Sequence, residues 1–136
     1  MTFVGDSQIE AVAGSELEKL RPADLGPFGQ IVLSPLRRST ITSPLLRLPA
    51  EGLIFAFNFV RNPASNDRAE AERLIAANRA IYERVRAAGG ALYPVSAFPM
   101  SGEDWRTHFG PERTQLDKAK HDFDPAHVLT PGCEIF

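Results

Sequence analysis

The run Leu53 to Val60, LIFAFNFV, constrains this chain more than any other stretch. Side chains along an extended strand alternate between two faces. Phe55, Phe57 and Phe59 therefore share one face, and Ile54, Ala56 and Val60 share the other. A strand with one solvated face alternates apolar with polar residues, yet only Asn58 interrupts this one. Both faces of the sheet that holds it must be covered.

One cover is legible further along. Asp67 and Glu70 have the spacing of a helix-opening pair, and Ala71, Leu74, Ile75, Ile81, Tyr82 and Val85 follow as one apolar stripe. Gly89-Gly90 closes that helix in a left-handed turn. One such helix covers one face. The second cover is expected from the C-terminal helices, from a partner chain, or from a domain outside this sequence.

The remaining elements are shorter. Ser15 and Glu18 suggest the start of a helix with Leu17 and Leu20 on its apolar side, broken by Gly26-Pro27-Phe28-Gly29. Gln30 to Leu36 reads as a strand, with Pro35 marking an edge or a bulge. Arg37 to Glu51 holds Pro44 and Pro49 without a steady period, as a long connection does. Ala91 to Val95 reads as a strand that completes a strand–helix–strand unit with the Phe-rich one. Ser101 with Asp104 caps a helix carrying Trp105, His108 and Phe109, one expected to lie over the sheet. Gly110-Pro111 interrupts it and restarts a helix to about Asp122. Asp124-Pro125 begins a short turn, and Thr130-Pro131-Gly132 bends the chain into an extended tail. The expected class is α+β: a small, mostly antiparallel sheet with helices packed on one face, ferredoxin-like in its cap portion, followed by the tail.

Composition excludes more than it suggests. The 136 residues are enough for a sizeable core, and a formal charge of −2 gives no reason to expect a nucleic-acid partner. The sole cysteine, Cys133, cannot form an internal disulfide. No stretch reaches the roughly 20 apolar residues that span a bilayer, and the N-terminus lacks the pattern of a signal peptide. The expectation is a cytoplasmic protein with neither membrane nor nucleic-acid contacts. His108, His121 and His127 lack zinc-site spacing, so packed or solvated histidines are expected and no metal. Cys133 has no nucleophile motif around it, and neither a Gly-x-Ser-x-Gly elbow, a Gly-x-Gly-x-x-Gly fingerprint nor a phosphate loop is present. Arg37-Arg38 reads either as a grip on an anion or, more simply, as solvated surface. From chemistry alone the chain has no catalytic residue of its own.

The last 32 positions, Trp105 to Phe136, combine Trp-x-x-His-Phe-Gly, a Lys-rich helix, Phe-Asp-Pro and a closing Leu-Thr-Pro-Gly turn. With the Gly-x-Ile-Val-Leu-x-Pro-Leu strand (Gly29 to Leu36), the Phe-rich strand ending at Val60-Arg61 and the long helix, this run resembles the C-terminal part of the cytokinin dehydrogenases, FAD-linked amine oxidases. The resemblance implies that residues 1–100 are part of a substrate-cap domain. It also implies that 101–136 are the C-terminal helices and tail that return to the FAD-binding domain.

Roles follow from the resemblance one residue at a time. The family's catalytic acid and flavin-attachment histidine belong to an N-terminal half, so no catalytic residue is assigned here. Tyr93, or its neighbour Leu92, corresponds to a position facing flavin and substrate. Gly132 and Cys133 fall where the tail meets the flavin; the family commonly has a glutamine where Cys133 stands. Ile41 lies near a point where plant members place a tryptophan beside the substrate. The expectation is thus Tyr93, Gly132 and Cys133 toward FAD, and Ile41 and Leu92 toward a small amine.

Two functions are open at this stage. One is a fragment or subunit of an FAD-dependent amine oxidase or dehydrogenase, inactive without an FAD-binding half that is missing or separately encoded. The other is a non-catalytic, stand-alone binding or oligomerising domain that reuses the cap fold. In both, an uncovered apolar face or sheet edge leads to a homodimer.

Overall fold

The computed structural model describes residues 1–62, 67–95, 98–129 and 135–136. It divides into two compact units, Met1–Phe98 and Pro99–Phe136.

The first unit is a four-stranded antiparallel sheet with two helices against one face. Its strands are β1 (Thr2–Gly5), β2 (Gln30–Arg37), β3 (Leu53–Val60) and β4 (Ala91–Leu92), in spatial order β2-β3-β1-β4. Helix α1 (Asp6–Lys19) follows β1, a short α2 (Pro22–Leu25) precedes β2, and α3 (Arg68–Ala87) joins β3 to β4. This is the split β-α-β arrangement. β3 and β4 flank α3 in sequence but are not neighbours in space, because β1 lies between them.

Register fixes which side chains share a face, since directly opposed residues in an antiparallel pair project to the same side. Thr2 opposes Phe57 and Leu92, and Val4 opposes Phe55. On that side Val4, Phe57, Ile9 and Ala13 of α1 and Val85 of α3 form one buried cluster, with Val12, Phe55, Phe59 and Ile81 packed around it. The Phe-rich face is therefore the helix face.

The opposite face holds Phe3, Ile54 and Ala56, and its cover comes from within the same unit. Ile41, Leu46 and Leu48 of the long connection lie against it, joined by Leu36, Met1 and Tyr93. The expected need for an outside cover is thereby corrected for this part of the sheet: an aperiodic, proline-containing segment supplies it. Arg38 closes the connection at its base, its backbone N–H reaching the Gly52 carbonyl at 3.0 Å and its Nε the Pro49 carbonyl at 3.1 Å. The Arg37-Arg38 pair is exposed surface, with Arg38 serving as a structural clasp.

β2 is an edge strand, which is where Pro35 can sit without forfeiting a ladder bond. Its helix-side residues Ile31 and Leu33 oppose Phe59 and Phe57 but remain exposed.

Three further expectations change. Ser15 and Glu18 do not open a helix: α1 begins at Asp6, and Ser15 lies inside it, accepting a hydrogen bond from Lys19 Nζ at 2.8 Å. Leu17 is exposed, and the inward positions of α1 are Ile9, Ala13 and Glu16. In α3 the stripe buries Leu74, Tyr82 and Val85, while Ala71 and Ile75 face outward. Residues Ala91 and Leu92 alone pair as β4, so the expected strand to Val95 is cut short. The Asp67 cap stands, its side chain accepting from the Ala69 N–H. Gly89 takes the left-handed conformation that ends α3, at φ 75°.

The second unit contains α4 (Gly102–Phe109), a single 3-10 turn at Gly110–Glu112, and α5 (Arg113–Phe123). Ser101 and Asp104 form a reciprocal capping box at the start of α4. Trp105 and Phe109, one turn apart, stack at 5.8 Å with both side chains buried, and His108 packs edge-on to each. His108 is thus a packed residue, while His121 and His127 are exposed. Asp124 organises the Phe-Asp-Pro turn: it accepts from Lys120 Nζ and from the Val128 and Leu129 N–H groups at 2.8 and 3.2 Å. Lys120, and then those N–H groups, hold its carboxyl below the ordinary carboxylate range. The Phe136 ring lies under Arg113 and Lys120, 5.4 and 5.2 Å from their cationic groups.

Candidate functional site

Two of the residues singled out from the sequence lie on the same sheet face. Ile41, from the long connection, and Tyr93, just past β4, both pack on the Phe3–Ile54–Ala56 face of the sheet. Tyr93 meets Phe3 edge-on with ring centroids 6.1 Å apart, and its backbone N–H donates to the Met1 carbonyl at 3.0 Å. The result is an aromatic and aliphatic wall on the side of the sheet away from α1 and α3.

The wall is held in place by a carboxylate. Helix α1 has Gly5 as its N-cap and no capping side chain of its own. Instead Glu51, at the end of the connection that carries Ile41, accepts from Ser7 N at 2.8 Å and from Ser7 Oγ at 2.9 Å. A negative side chain at a helix N-terminus satisfies free N–H groups and complements the helix dipole. Gly5 is needed for this contact, because a Cβ there would stand 1.9 Å from Glu51 Oε1.

Leu92 goes elsewhere. It is fully buried, and its pairing with Thr2 turns it to the helix face. There it helps line a cavity of about 400 Å³ bounded by Phe57, Phe59, Ile81, Tyr93 and Phe98, with Arg61 and Asn78 as its main polar groups. Phe98 stacks on Tyr82 at 5.5 Å, and the Arg79 guanidinium lies over both rings. Leu92 and Ile41 are thus on opposite sides of the sheet. Gly132 and Cys133, with the Thr130-Pro131-Gly132 bend, lie outside the described residues.

The ionisable groups of the first unit gather on the helix side. Glu16 is buried and held by Arg84 through Nε at 2.5 Å and Nη2 at 2.8 Å. Asp24 is also buried, and its carboxylate takes Arg21 and Arg73 at 3.1 and 2.6 Å. Hydrogen bonds from Arg21, with help from Arg73, hold the Asp24 carboxyl far below the ordinary range. Arg84 and Arg73 reach these carboxylates from α3, whereas Arg21 caps the same short helix that holds Asp24. Among the described residues no group of three or more His, Cys, Asp or Glu side chains could hold a metal ion. No helix among them is long and apolar enough to cross a membrane.

The fold and this wall define an α+β domain of the split β-α-β kind with an apolar wall on one sheet face. Across residues 1–136 the chain matches the family model described as "Cytokinin dehydrogenase 1, FAD and cytokinin binding", and it belongs to that family of FAD-linked oxidoreductases. It is 41% identical over 109 residues to "Uncharacterized oxidoreductase ORF5 in fasciation locus" of Rhodococcoides fascians, covering 80% of this chain and 24% of that protein. It is 28% identical over 114 residues to "Cytokinin dehydrogenase 10" of Oryza sativa subsp. japonica, covering 81% of this chain and 21% of the relative. With "Cytokinin dehydrogenase 8" of Oryza sativa subsp. indica the identity is 32% over 103 residues, 70% of this chain and 19% of the relative. The chain thus spans about a quarter or less of the length of these relatives.

Proposed function

We propose that this chain forms the substrate-side cap and returning tail of an FAD-dependent amine oxidase or dehydrogenase, acting with an FAD-binding half that it does not itself contain. Residues 1–100 are the cap portion in this reading, and 101–136 the segment that returns to the flavin domain. The observation that carries it is the packing of Ile41 and Tyr93 against one apolar sheet face. The resemblance assigns these two residues to the substrate and flavin sides of one cavity, and they are 52 positions apart in sequence.

The residues suit one side of a flavin ring and its substrate, not a whole dinucleotide. Tyr93, Phe3 and Ile41 offer flat, apolar surface of the kind that lines cofactor pockets. The described residues offer no glycine-rich loop running into a helix N-terminus, the usual cradle for a pyrophosphate. A bound FAD would supply the redox chemistry, as acceptor of the hydride that amine oxidation releases. The part of this chain is to exclude water from the reacting centre and to orient the amine. Gly132 and Cys133 are proposed to meet the flavin from the tail side, and Leu92 to contribute from the cavity on the helix side of the sheet that Tyr93 also borders.

The test is reconstitution. Purified alone, the chain should be colourless and inactive toward secondary amines. Co-expressed with an FAD-binding half from a relative, it should yield a yellow complex that oxidises them. Tyr93→Ala and Ile41→Ala in that complex should alter kcat/KM about tenfold or more while flavin stays bound. Stoichiometric flavin on the chain alone, or full activity in both variants, would overturn the reading.

A second reading has one observation in its favour. Ile31 and Leu33 stay exposed on the edge strand β2, a surface suited to self-association through a homodimer.

A further inference from the structure

Between α1 and α2 on one side and α3 on the other runs a groove of about 330 Å³ that the proposed oxidase role does not use. Five cationic side chains line it, Lys19, Arg21, Arg61, Arg73 and Arg84, against two carboxylates, Glu16 and Asp24. The crowding is sharpest around Asp24. Arg21 Nη2 and Arg73 Nη2 both approach its Oδ1, at 3.1 and 2.6 Å, and Arg61 Nη1 donates to its backbone carbonyl at 3.0 Å. Three guanidiniums therefore meet at a residue carrying one negative charge. Arg73 has a second carboxylate in Glu70, at 2.6 Å. The acceptors of Arg61 among the described residues are neutral: the Asp24 carbonyl and Asn78 Oδ1 at 2.9 Å.

An arginine that is always charged, partly withdrawn from water and set beside other guanidiniums raises the energy of the folded state unless an anion joins it. Burial acts most strongly against the Arg61 cation and the nearby Arg73 charge adds to it, while Asp24 and Glu16 act in its favour and the Phe59 ring lies under its guanidinium at 5.4 Å. The planar forks of several arginines match the oxygens of a phosphate better than a single carboxylate can. The same groove has an apolar floor, made by Phe59, Ile81 and the two alanines Ala77 and Ala80.

We propose that this groove binds a phosphate monoester, its phosphate held by Arg61 with Arg73 and Arg21 and its organic group lying on Ile81, Ala77 and Ala80. The Ile41–Tyr93 wall lies on the other face of the sheet, whereas Arg61, Phe59 and Ile81 also border the cavity beside Leu92 and Tyr93.

Two probes distinguish the phosphate from the ester: inorganic phosphate and phenyl phosphate, titrated into the chain at constant ionic strength set with chloride. Side-chain Nε–Hε resonances of Arg61 and Arg73 should shift saturably with both, and phenyl phosphate should bind more tightly. Arg61→Gln should weaken binding about tenfold, the loss of one charge-assisted contact, whereas Arg68→Gln at an exposed position of α3 should leave it unchanged. Were Arg61→Gln to unfold the chain, the resonances of the unmodified protein decide. Saturable shifts confined to the groove arginines support the site. Shifts that fail to saturate, or that appear equally at Arg68, overturn it. Equal affinity for the two probes overturns the ester assignment.

Discussion

The contact between Glu51 and the start of α1 predicts a reversal of context at Gly5. In the native chain Gly5→Ala places a Cβ 1.9 Å from Glu51 Oε1, so the carboxylate must swing away. Its bonds to Ser7 N and Ser7 Oγ are then lost. Losing a cap interaction costs about 1 kcal/mol, and losing a negative charge at a helix N-terminus a further 0.3–1, so either Gly5→Ala or Glu51→Ala should destabilise by roughly 1–2 kcal/mol. The backbone itself tolerates alanine, for Gly5 sits at φ −70° and ψ 154°, an ordinary extended conformation. The three atoms nearest the added Cβ all belong to Glu51. In a Glu51→Ala background, Gly5→Ala should therefore be close to neutral, within about 0.5 kcal/mol. Urea unfolding of the two single variants and the double variant measures the coupling directly. Hydrogen exchange at residues 41–48 should rise in every member lacking the Glu51–Ser7 bonds, because the connection carrying Ile41 loses its anchor. If Gly5→Ala proves as damaging without Glu51 as with it, the steric argument is wrong.

Other outcomes follow from single features. At Gly90 an added Cβ would stand 2.6 Å from the Phe3 carbonyl oxygen and 2.9 Å from that of Val85, backbone atoms that cannot swing aside. Gly90→Ala should cost about 1–3 kcal/mol in thermal unfolding, while Gly14→Ala, inside α1 with nothing within 4 Å, should stabilise by up to about 1. The folded-state pKa of Asp24 is depressed by its arginines, so its contribution to stability is complete above its unfolded value of about 4 and is lost as the pH falls below that. Asp24→Asn should flatten the acid limb of a stability–pH curve, and an unchanged limb would remove Asp24 from the account. For the self-association reading, sedimentation should show a dimer that Leu33→Lys converts to monomer; a monomer in the parent chain well above micromolar concentration would dismiss it.

The sequence announced those parts whose signal is local. β3 begins and ends where its apolar run does, and the caps at Asp67 and Ser101 are read from residues within one turn of each other. β1 and α1 escaped because Thr2–Gly5 is too short for an alternation to stand out, and because the inward stripe of α1 includes Glu16, a residue that local pattern assigns to solvent. Its burial makes sense only with Arg84, 68 positions away. The connection that covers the second sheet face has no period to detect. At the site, the resemblance indicated Ile41 and Tyr93, whereas their support from Glu51 depends on Ser7, 44 positions earlier. The arginine groove is invisible for the same reason: its members come from α1, α2, α3 and the end of β3.

The placement of β1 bears on how this unit assembles. The first strand of this unit in chain order is an interior strand, flanked by β3 and β4, and the Thr2 hydroxyl bonds to the Phe57 carbonyl 55 positions later. A chain emerging from the ribosome can pair β2 with β3 early, as a hairpin with one long loop. It cannot complete the centre of the sheet until Leu92 has appeared. Loop closure over such distances is slow relative to local pairing, so folding should show an early β2–β3 phase and a later consolidating one. Trimming the first few residues would then remove the middle of the sheet, leaving a two-stranded hairpin and a two-residue strand with nothing to join them.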